Sequence, residues 1–412
     1  MSSLGWRFLT PNDKEQLARG IRDAVAYGGP YHVEIHPADR CNIDCFFCST
    51  AAIRGTDELP TPRIEELLRE LREAGTRSIR LSGGGEPLFH RNIQGVLRAI
   101  AASGIPIENV TTNAVLLGET IADLLIAARC DQVTISLNTA DAESYARMMQ
   151  TPARNFERVV ANVRALAARP QPRPSINVQF LVWKENFRTI PRMYELAREL
   201  GADSIFFSGL AFLRAEQKMS EEETGEMIAL YEEVVARDEY RRIDAINSLE
   251  LDLTPRLAAM NARLAAARGG RIARMARFVT RRDVPLRERL AHRRKLAELR
   301  RVDAQVAGLD ESCLIGWHSL VIRTNGVVAP CCILQSAILG DIRTQSLREV
   351  WFGEPYAAFR RELARIRRDG DAWQHDAAGD RTVTPLCGGN ECPIRSFYYS
   401  GDVAFRRAIA GS

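Results

Sequence analysis

Six times between about residue 31 and residue 208, a short run rich in β-branched residues gives way to an amphipathic stretch of helical period. The strands this predicts are Val33 to His36, Arg77 to Ser82, Ile107 to Thr112, Gln132 to Asn138, Ile176 to Val182 and Ser204 to Ser208. Between the first two, PRIEELLRELREAG repeats Ile64, Leu67, Leu68 and Leu71 at helical spacing, with Pro62 in the first turn and Gly75 as the stop. Strands that alternate with helices pair in parallel through right-handed crossovers. The expected fold is therefore α/β, an open sheet or one curled into a partial barrel, with ligands at the C-terminal ends of the strands.

The chain has 412 residues, more than one core of roughly 150 residues needs, so an appendage or a second domain is expected. A hydrophobic share of 46% and a charged share of 26% suit a folded protein and exclude a disordered or collagen-like one. No run approaches the roughly 20 apolar residues of a membrane helix, and MSSLGWRFLTPNDKEQ lacks a basic segment followed by an apolar core. The expected location is the cytoplasm.

Residues 220 to 302 read as almost continuous helix, and Arg256 to Arg301 holds 15 Lys or Arg against Asp283, Glu288 and Glu298. That is a net +12 in a chain of net +4, so the other 366 residues sum to −8 and the basicity is local. One reading is a solvated helical hairpin whose arginines lie over neighbouring elements. The other is a face for an anionic ligand, such as a phosphorylated or nucleotide-linked substrate, or for an acidic partner. No helix-turn-helix, RNP or zinc-finger pattern supports nucleic acid. Further on, SLVIRTNGVVAPCCI predicts two short strands around an Asn325-Gly326 turn, followed by helices from Ser346 to Trp351 and from Tyr356 to Ile366. The boundaries read at this level are 1–30, a helical extension; 31–219, the barrel; 220–310, the basic helical segment; and 311–412, a small cysteine-bearing module.

Nine cysteines fall in groups, which points to metal rather than to a disulfide framework. ADRCNIDCFFC places Cys41, Cys45 and Cys48 in a CxxxCxxC arrangement directly after the first strand. Three thiolates within eight residues can wrap one face of an iron–sulfur cube and leave one iron open. A zinc site wants a fourth ligand, for which His36 is the local candidate.

CNIDCFFC followed by SGGGEP resembles the signature of the radical S-adenosylmethionine enzymes, whose fold is a partial (β/α)6 barrel. The resemblance implies that Cys41, Cys45 and Cys48 hold a [4Fe–4S] cluster whose open iron takes the amino and carboxylate groups of S-adenosylmethionine. It places Phe47 near the adenine, and Gly84, Gly85 and Glu86 at the GGE element. Glycines there let the backbone approach a ligand, and a backbone carbonyl or Glu86 can accept from the cationic amino group. Polar residues at the remaining strand ends are further cofactor candidates: Thr112, Asn113, Ser136, Asn138, Gln179, Ser208 and Gly209. Ser136 and Asn138 match positions of ribose or carboxylate contacts in the family.

The later cysteines can enclose a second centre, with the Asn325-Gly326 hairpin bringing Cys313 near Cys331. The layout CLIGWHSLVIRTNGVVAPCC, then GDIRTQSLREVWFG and a late cysteine pair, resembles the twitch or abbreviated SPASM extension of these enzymes. It implies one auxiliary [4Fe–4S] cluster on Cys313, Cys331, Cys387 and Cys392, with Cys332 spare or substituting; the same thiolates also suit a structural zinc. Cys130 reads as a core residue, and His90, Trp317, His318, Trp351 and Trp373 as packing or local hydrogen-bonding residues, with His318 also a candidate proton acceptor.

The activity this resemblance implies is reductive cleavage of S-adenosylmethionine to a 5′-deoxyadenosyl radical that abstracts hydrogen from substrate. The electron comes from a reducing partner such as flavodoxin or ferredoxin. The substrate class expected is a small hydroxylated metabolite, a sugar, cyclitol or aminoglycoside-like compound, undergoing dehydrogenation or epimerisation. For an epimerase, a non-ligand thiol such as Cys332 is the candidate hydrogen donor. The alternatives are a maturase acting on a ribosomally made peptide and, from another class, a non-catalytic metal-stabilised binding module.

Overall fold

The computed structural model describes residues 6–48, 50–51, 54–209, 219–237, 243–247, 313–331 and 337–369. In chain order the first elements are α1 (Pro11–Asp23), β1 (His32–Ile35), α2 (Thr61–Glu73), β2 (Ser78–Leu81), α3 (Ile93–Ser103), β3 (Ile107–Thr112) and α4 (Glu119–Ala127). Then follow β4 (Gln132–Ser136), α5 (Ala142–Met149), α6 (Arg154–Ala167), β5 (Ser175–Val182), α7 (Ile190–Glu199), β6 (Ser204–Gly209), α8 (Glu221–Arg237) and β7 (Ile243–Asn247). The C-terminal strands are β8 (Ser319–Ile322), β9 (Val327–Ala329) and β10 (Gly340–Asp341), accompanied by helices Ile315–His318, Leu347–Phe352 and Glu354–Asp369.

All these strands form one open sheet in the order β10-β9-β8-β1-β2-β3-β4-β5-β6-β7, parallel from β8 to β7. It is the partial α/β barrel expected, with helices on its outer face. α2 shows how the sequence builds that layer, since Ile64, Leu67, Leu68 and Leu71 are buried as one stripe and Gly75, at φ +82°, ends the turn. Each of the six strand readings falls within two residues of an observed strand.

Two features depart from expectation. The stretch read as continuous helix from 220 to 302 is broken by β7, which adds a seventh parallel strand beside β6. The open edge of β6 supplies backbone partners that local helical periodicity does not register. The Asn325-Gly326 hairpin forms as read, with Gly326 at φ +79°, but its first strand, β8, pairs in parallel with β1, with His32 opposite Ser319. The C-terminal strands thus extend the barrel sheet. The +12 segment, Trp373, Cys332, Cys387 and Cys392 lie outside the described residues.

The register also fixes what faces the inside of the curl. Across the sheet, Glu34, Arg80, Asn109, Gln132 and Ser175 stand in one row, and Thr111, Thr134, Asn177 and Ser204 in the next. Ser136 and Gln179 follow nearer the C-terminal ends. β4 states the rule in five residues, since Val133 and Ile135 are buried toward the helices while Gln132, Thr134 and Ser136 remain partly exposed. A closed β/α barrel fills its interior with layers of branched apolar side chains. Here the inward positions carry hydrogen-bonding groups, and toward the C-terminal ends Thr111, Ser136 and Gln179 line an open chamber.

Candidate cofactor site

The loop from Asp39 to Ala51 leaves the end of β1 and is tied down on several sides. Phe46 and Asp44 donate their backbone N–H to the carbonyls of Met148 and Met149 at the end of α5, at 3.1 and 3.0 Å. Glu86 N donates to the Arg40 carbonyl at 3.0 Å, and Thr50 Oγ1 donates to the Gly84 carbonyl at 2.7 Å, so the SGGGEP turn and the cysteine loop lock together. Gly85 is required for that contact, because a Cβ there would stand 2.3 Å from the carbonyl oxygens of Asp39 and Arg40. Arg54 bridges the loop from its far end, donating to Asp44 Oδ1 at 2.8 Å.

Cys41, Cys45 and Cys48 line one cavity of about 370 Å³ at the C-terminal ends of the strands. Phe47, Gly84, Gly85, Glu86, Thr112, Asn113, Ser136, Asn138, Gln179, Ser208 and Gly209 line the same cavity, so the candidates named from sequence are brought together. The structure adds Arg54, Thr111 and Leu181, which sequence reasoning passed over. Thr111 carried a readable signal, a polar residue two positions from Asn109 on a strand, whereas Arg54 sits in a loop with no period to mark it.

Glu86 differs from its expected role. Its carboxylate is buried and already accepts from Thr112 Oγ1 at 2.6 Å, Asn113 N at 2.7 Å and Leu88 N at 3.0 Å. Burial pushes its carboxyl above the ordinary range while these donors pull the other way. It therefore braces the ends of β2 and β3. Asn113, held by it, donates to Asn42 Oδ1 at 2.8 Å, next to Cys41. Asn138 adopts φ +62° and its Oδ1 accepts from Leu181 N at 3.0 Å, stitching β4 to β5. The Ser136 hydroxyl and the Gln179 amide engage no protein partner among the described residues, so they are free for a ligand.

The residues fit an iron–sulfur group. Burial, and after it the Cys41 and Cys48 thiols, push Cys45 up to about 12, and burial, with Glu86 after it, raises Cys41 above its ordinary value, so metal must displace their protons. Asn42 Nδ2, beside Cys41, is a buried donor without an acceptor among the described residues, as expected of a group that faces an anionic cluster. Among the described residues no three His, Cys, Asp or Glu side chains converge on a single ion, and His36 is spent on Glu34 at 2.8 Å. A cube takes each thiolate on a different iron and so needs no convergence on one ion.

Cys313 and Cys331 flank the hairpin end and are partly buried against the main core. Cys130 is buried, with Sγ 3.3 Å from the Gln132 carbonyl. His90 is paired with the Leu59 carbonyl at 2.9 Å, Trp351 donates to the Gly28 carbonyl at 3.0 Å, and Trp317 is buried. His318 is fully buried beside His32, ring centroids 6.0 Å apart, and burial holds it well below the ordinary imidazole range. That state is neutral at working pH.

Glu34 is buried on β1 between His36 and Arg80, the latter at 3.8 Å. Burial opposes its charge, but the His36 hydrogen bond and the Arg80 charge hold the carboxyl down at about 2 against an ordinary 4.5. A lowered carboxylate pKa contributes stability that is complete above 4.5 and is lost as pH falls toward 2. The contribution is about 3 kcal/mol at most. Glu34→Gln is therefore expected to flatten the acid limb of a stability-versus-pH curve measured by urea unfolding.

The profile of the Radical SAM superfamily matches residues 35–197, and that of an iron–sulfur cluster-binding domain, SPASM, matches residues 313–387. The GTP 3′,8-cyclase of Chlorobaculum tepidum is 35% identical over 170 residues, 41% of this chain and 50% of that protein. The AdoMet-dependent heme synthase of Methanosarcina barkeri is 29% identical over 164 residues, 39% of this chain and 45% of that protein. The chain spans about half the length of the curated relatives it matches. In fold it is similar to Streptococcus suis SuiB bound to S-adenosylmethionine, at TM-score 0.56 and 15% identity over 91% of this chain and 74% of that one. It is also similar to anSMEcpe with bound AdoMet and a peptide, at TM-score 0.52 and 13% identity over 92% and 98%. These matches bring with them a four-iron cluster with S-adenosylmethionine and an auxiliary iron–sulfur cluster. With the cysteine loop, the barrel and both profiles in agreement, the chain belongs to the radical S-adenosylmethionine superfamily and carries a C-terminal iron–sulfur cluster-binding extension.

Proposed function

We propose that this enzyme abstracts hydrogen from a small, polar, hydroxylated substrate held in the barrel chamber, with dehydrogenation or epimerisation as the outcome. The polar side chains that line the cavity, among them Thr111, Ser136, Gln179 and Ser208, support this reading, and the row of residues behind Thr111 holds it in place. Asn109 Nδ2 donates to Gln132 at 3.0 Å and to Thr134 at 2.9 Å, Thr111 donates to Asn109 at 3.0 Å, and Arg80 donates to Thr111 at 3.3 Å. A wall of fixed donors and acceptors favours a ligand that can answer them and leaves an apolar one unpaired against it. Relatives named as GTP 3′,8-cyclases are consistent with an anionic substituent on that substrate.

In this reading Cys41, Cys45 and Cys48 hold the first cluster, and Cys313, Cys331, Cys387 and Cys392 the auxiliary one. When bound, the first cluster and S-adenosylmethionine supply the one-electron hydrogen abstraction. The chain's own part is to hold and orient. Phe47 packs against the adenine side, where it is backed by Trp183, with ring centroids 6.2 Å apart. Ser136, Asn138 and Gln179 offer hydrogen bonds to ribose or carboxylate, and the buried Glu86 keeps Thr112 and Asn113 in place around them.

The test is anaerobic turnover with reductant and S-adenosylmethionine against three separate pools: nucleoside triphosphates, sugars and cyclitols with and without phosphate, and synthetic peptides. Deuterium carried from a perdeuterated small molecule into 5′-deoxyadenosine is the expected result. Transfer from a peptide alone overturns the reading in favour of a maturase, the substrate class seen bound in SuiB with its precursor peptide.

A further inference from the structure

The three thiols of the cysteine loop do not sit in equal surroundings. Cys45 Sγ meets Met149 Sδ at 3.2 Å, a contact with no N–H or hydroxyl in it. Cys48 Sγ is 3.1 Å from Thr50 Oγ1, whose one proton goes to the Gly84 carbonyl at 2.7 Å. Among the described residues Cys41 alone of the three faces a side-chain N–H: Asn113 Nδ2 lies 3.8 Å from its Sγ, within reach of an acceptor as large as sulfur.

Asn113 is buried, lines the cavity and is fixed at N, Oδ1 and Nδ2. Its backbone N–H goes to Glu86 Oε2 at 2.7 Å, its Oδ1 accepts from Val115 N at 3.1 Å, and one Nδ2 hydrogen goes to Asn42 Oδ1 at 2.8 Å. A flipped amide would set its oxygen against Asn42 Oδ1 and its two hydrogens against the Val115 N–H, so the network admits one orientation. The second Nδ2 hydrogen is left over, and the Cys41 sulfur is the acceptor it meets. Glu86 grips only the main chain at this position, which any residue but proline offers, so the brace does not account for an amide side chain here.

We propose that the Asn113 side-chain amide donates a hydrogen bond to the Cys41 thiolate of the first iron–sulfur cluster and thereby raises the reduction potential of that cluster. The inference rests on Cys41, Cys45 and Cys48 holding that cluster. Loss of the thiol proton turns the sulfur into an anionic acceptor and strengthens the bond. Hydrogen bonds to the sulfurs are one of the levers that set cluster potentials, and a donor favours the reduced state because that state carries one more negative charge. Asn113 is a positioning residue that acts through a ligand sulfur and not on substrate. Glu86, by holding the Asn113 backbone, sets where the donor stands.

The experiment uses the full chain with both clusters loaded, titrated anaerobically and followed by EPR through the signal that is lost when Cys41, Cys45 and Cys48 are replaced by alanine. Asn113→Ala is expected to make that cluster about tenfold harder to reduce, a fall of about 59 mV for a one-electron couple, while the second cluster does not move. Asn113→Asp keeps an oxygen for Val115 N but has no N–H to give, and should lower the potential at least as far. Asn42→Ala removes the other acceptor of Asn113 Nδ2 and should leave the potential where it was. ENDOR spectra of the reduced cluster should show one exchangeable proton coupling that both Asn113 variants lose and Asn42→Ala keeps. An unchanged potential in the Asn113 variants overturns the proposal, and so does an equal fall in Asn42→Ala, which would trace the effect to loop packing. If the three-alanine variant keeps both EPR signals, the ligand assignment falls and the proposal with it.

Discussion

Alanine at Cys41, Cys45 or Cys48 is expected to reduce 5′-deoxyadenosine formation to the uncatalysed background while the second iron–sulfur centre stays in place. Three thiolates on one short loop are the whole protein ligand set of such a cluster, so no single one can be spared. Each is fixed by a different anchor: Cys41 by the Asn113–Asn42 contact, Cys45 by the end of α5, and Cys48 by its 3.1 Å contact with Thr50. Removing one leaves the loop backbone standing, because Met148, Met149, Arg40 and Gly84 hold it through main-chain groups. The check is iron and sulfide content together with EPR of the reconstituted variants. Retention of four iron atoms fewer than wild type, with the residual signal unaltered, separates loss of one cluster from general misfolding.

Glu86→Leu is expected to be the most destabilising single change near the site. It keeps the volume roughly but leaves the Thr112 hydroxyl and the N–H groups of Asn113 and Leu88 buried without an acceptor. At about 1–3 kcal/mol for each of the three orphaned donors, the total is about 3–9 kcal/mol, a large part of the stability of an ordinary domain. Glu86→Gln retains one acceptor oxygen and should cost about 1–3 kcal/mol. Urea unfolding of metal-free protein measures both without interference from cluster loss. Equal costs for the two variants would mean that the carboxylate is not the brace described here.

Much of this was written in the order of residues. Ile64, Leu67, Leu68 and Leu71 announce α2 because burial on one helical face leaves a 3.6-residue trace, and QVTIS announces both β4 and the polar side of the chamber. The cysteine spacing and the glycine turn were legible because ligation and close backbone approach demand particular residue types at particular steps. What escaped was set by partners far away in the chain. β7 forms because β6 presents an open edge, and a helical pattern in 220–302 carries no sign of it. Glu86 looked available to a ligand until Thr112 and Asn113, 26 and 27 residues on, were found to use its oxygens.

The strand that leads into the cysteine loop is flanked by β2 on one side and by β8 on the other. β2 is made soon after it, but β8 belongs to the cluster-binding extension, and the Arg63 contact with the Ile342 carbonyl spans 279 residues. Closing so long a stretch costs entropy before any contact returns it, so such pairings form late. A chain emerging from the ribosome therefore carries its first set of thiols just beyond a strand whose other edge is bare for most of synthesis. Bare edges invite pairing with the wrong chain. Iron delivery to the first site and completion of the last domain are thus linked through the order of folding, since the late strand that seals the barrel edge belongs to the domain that carries the second cluster.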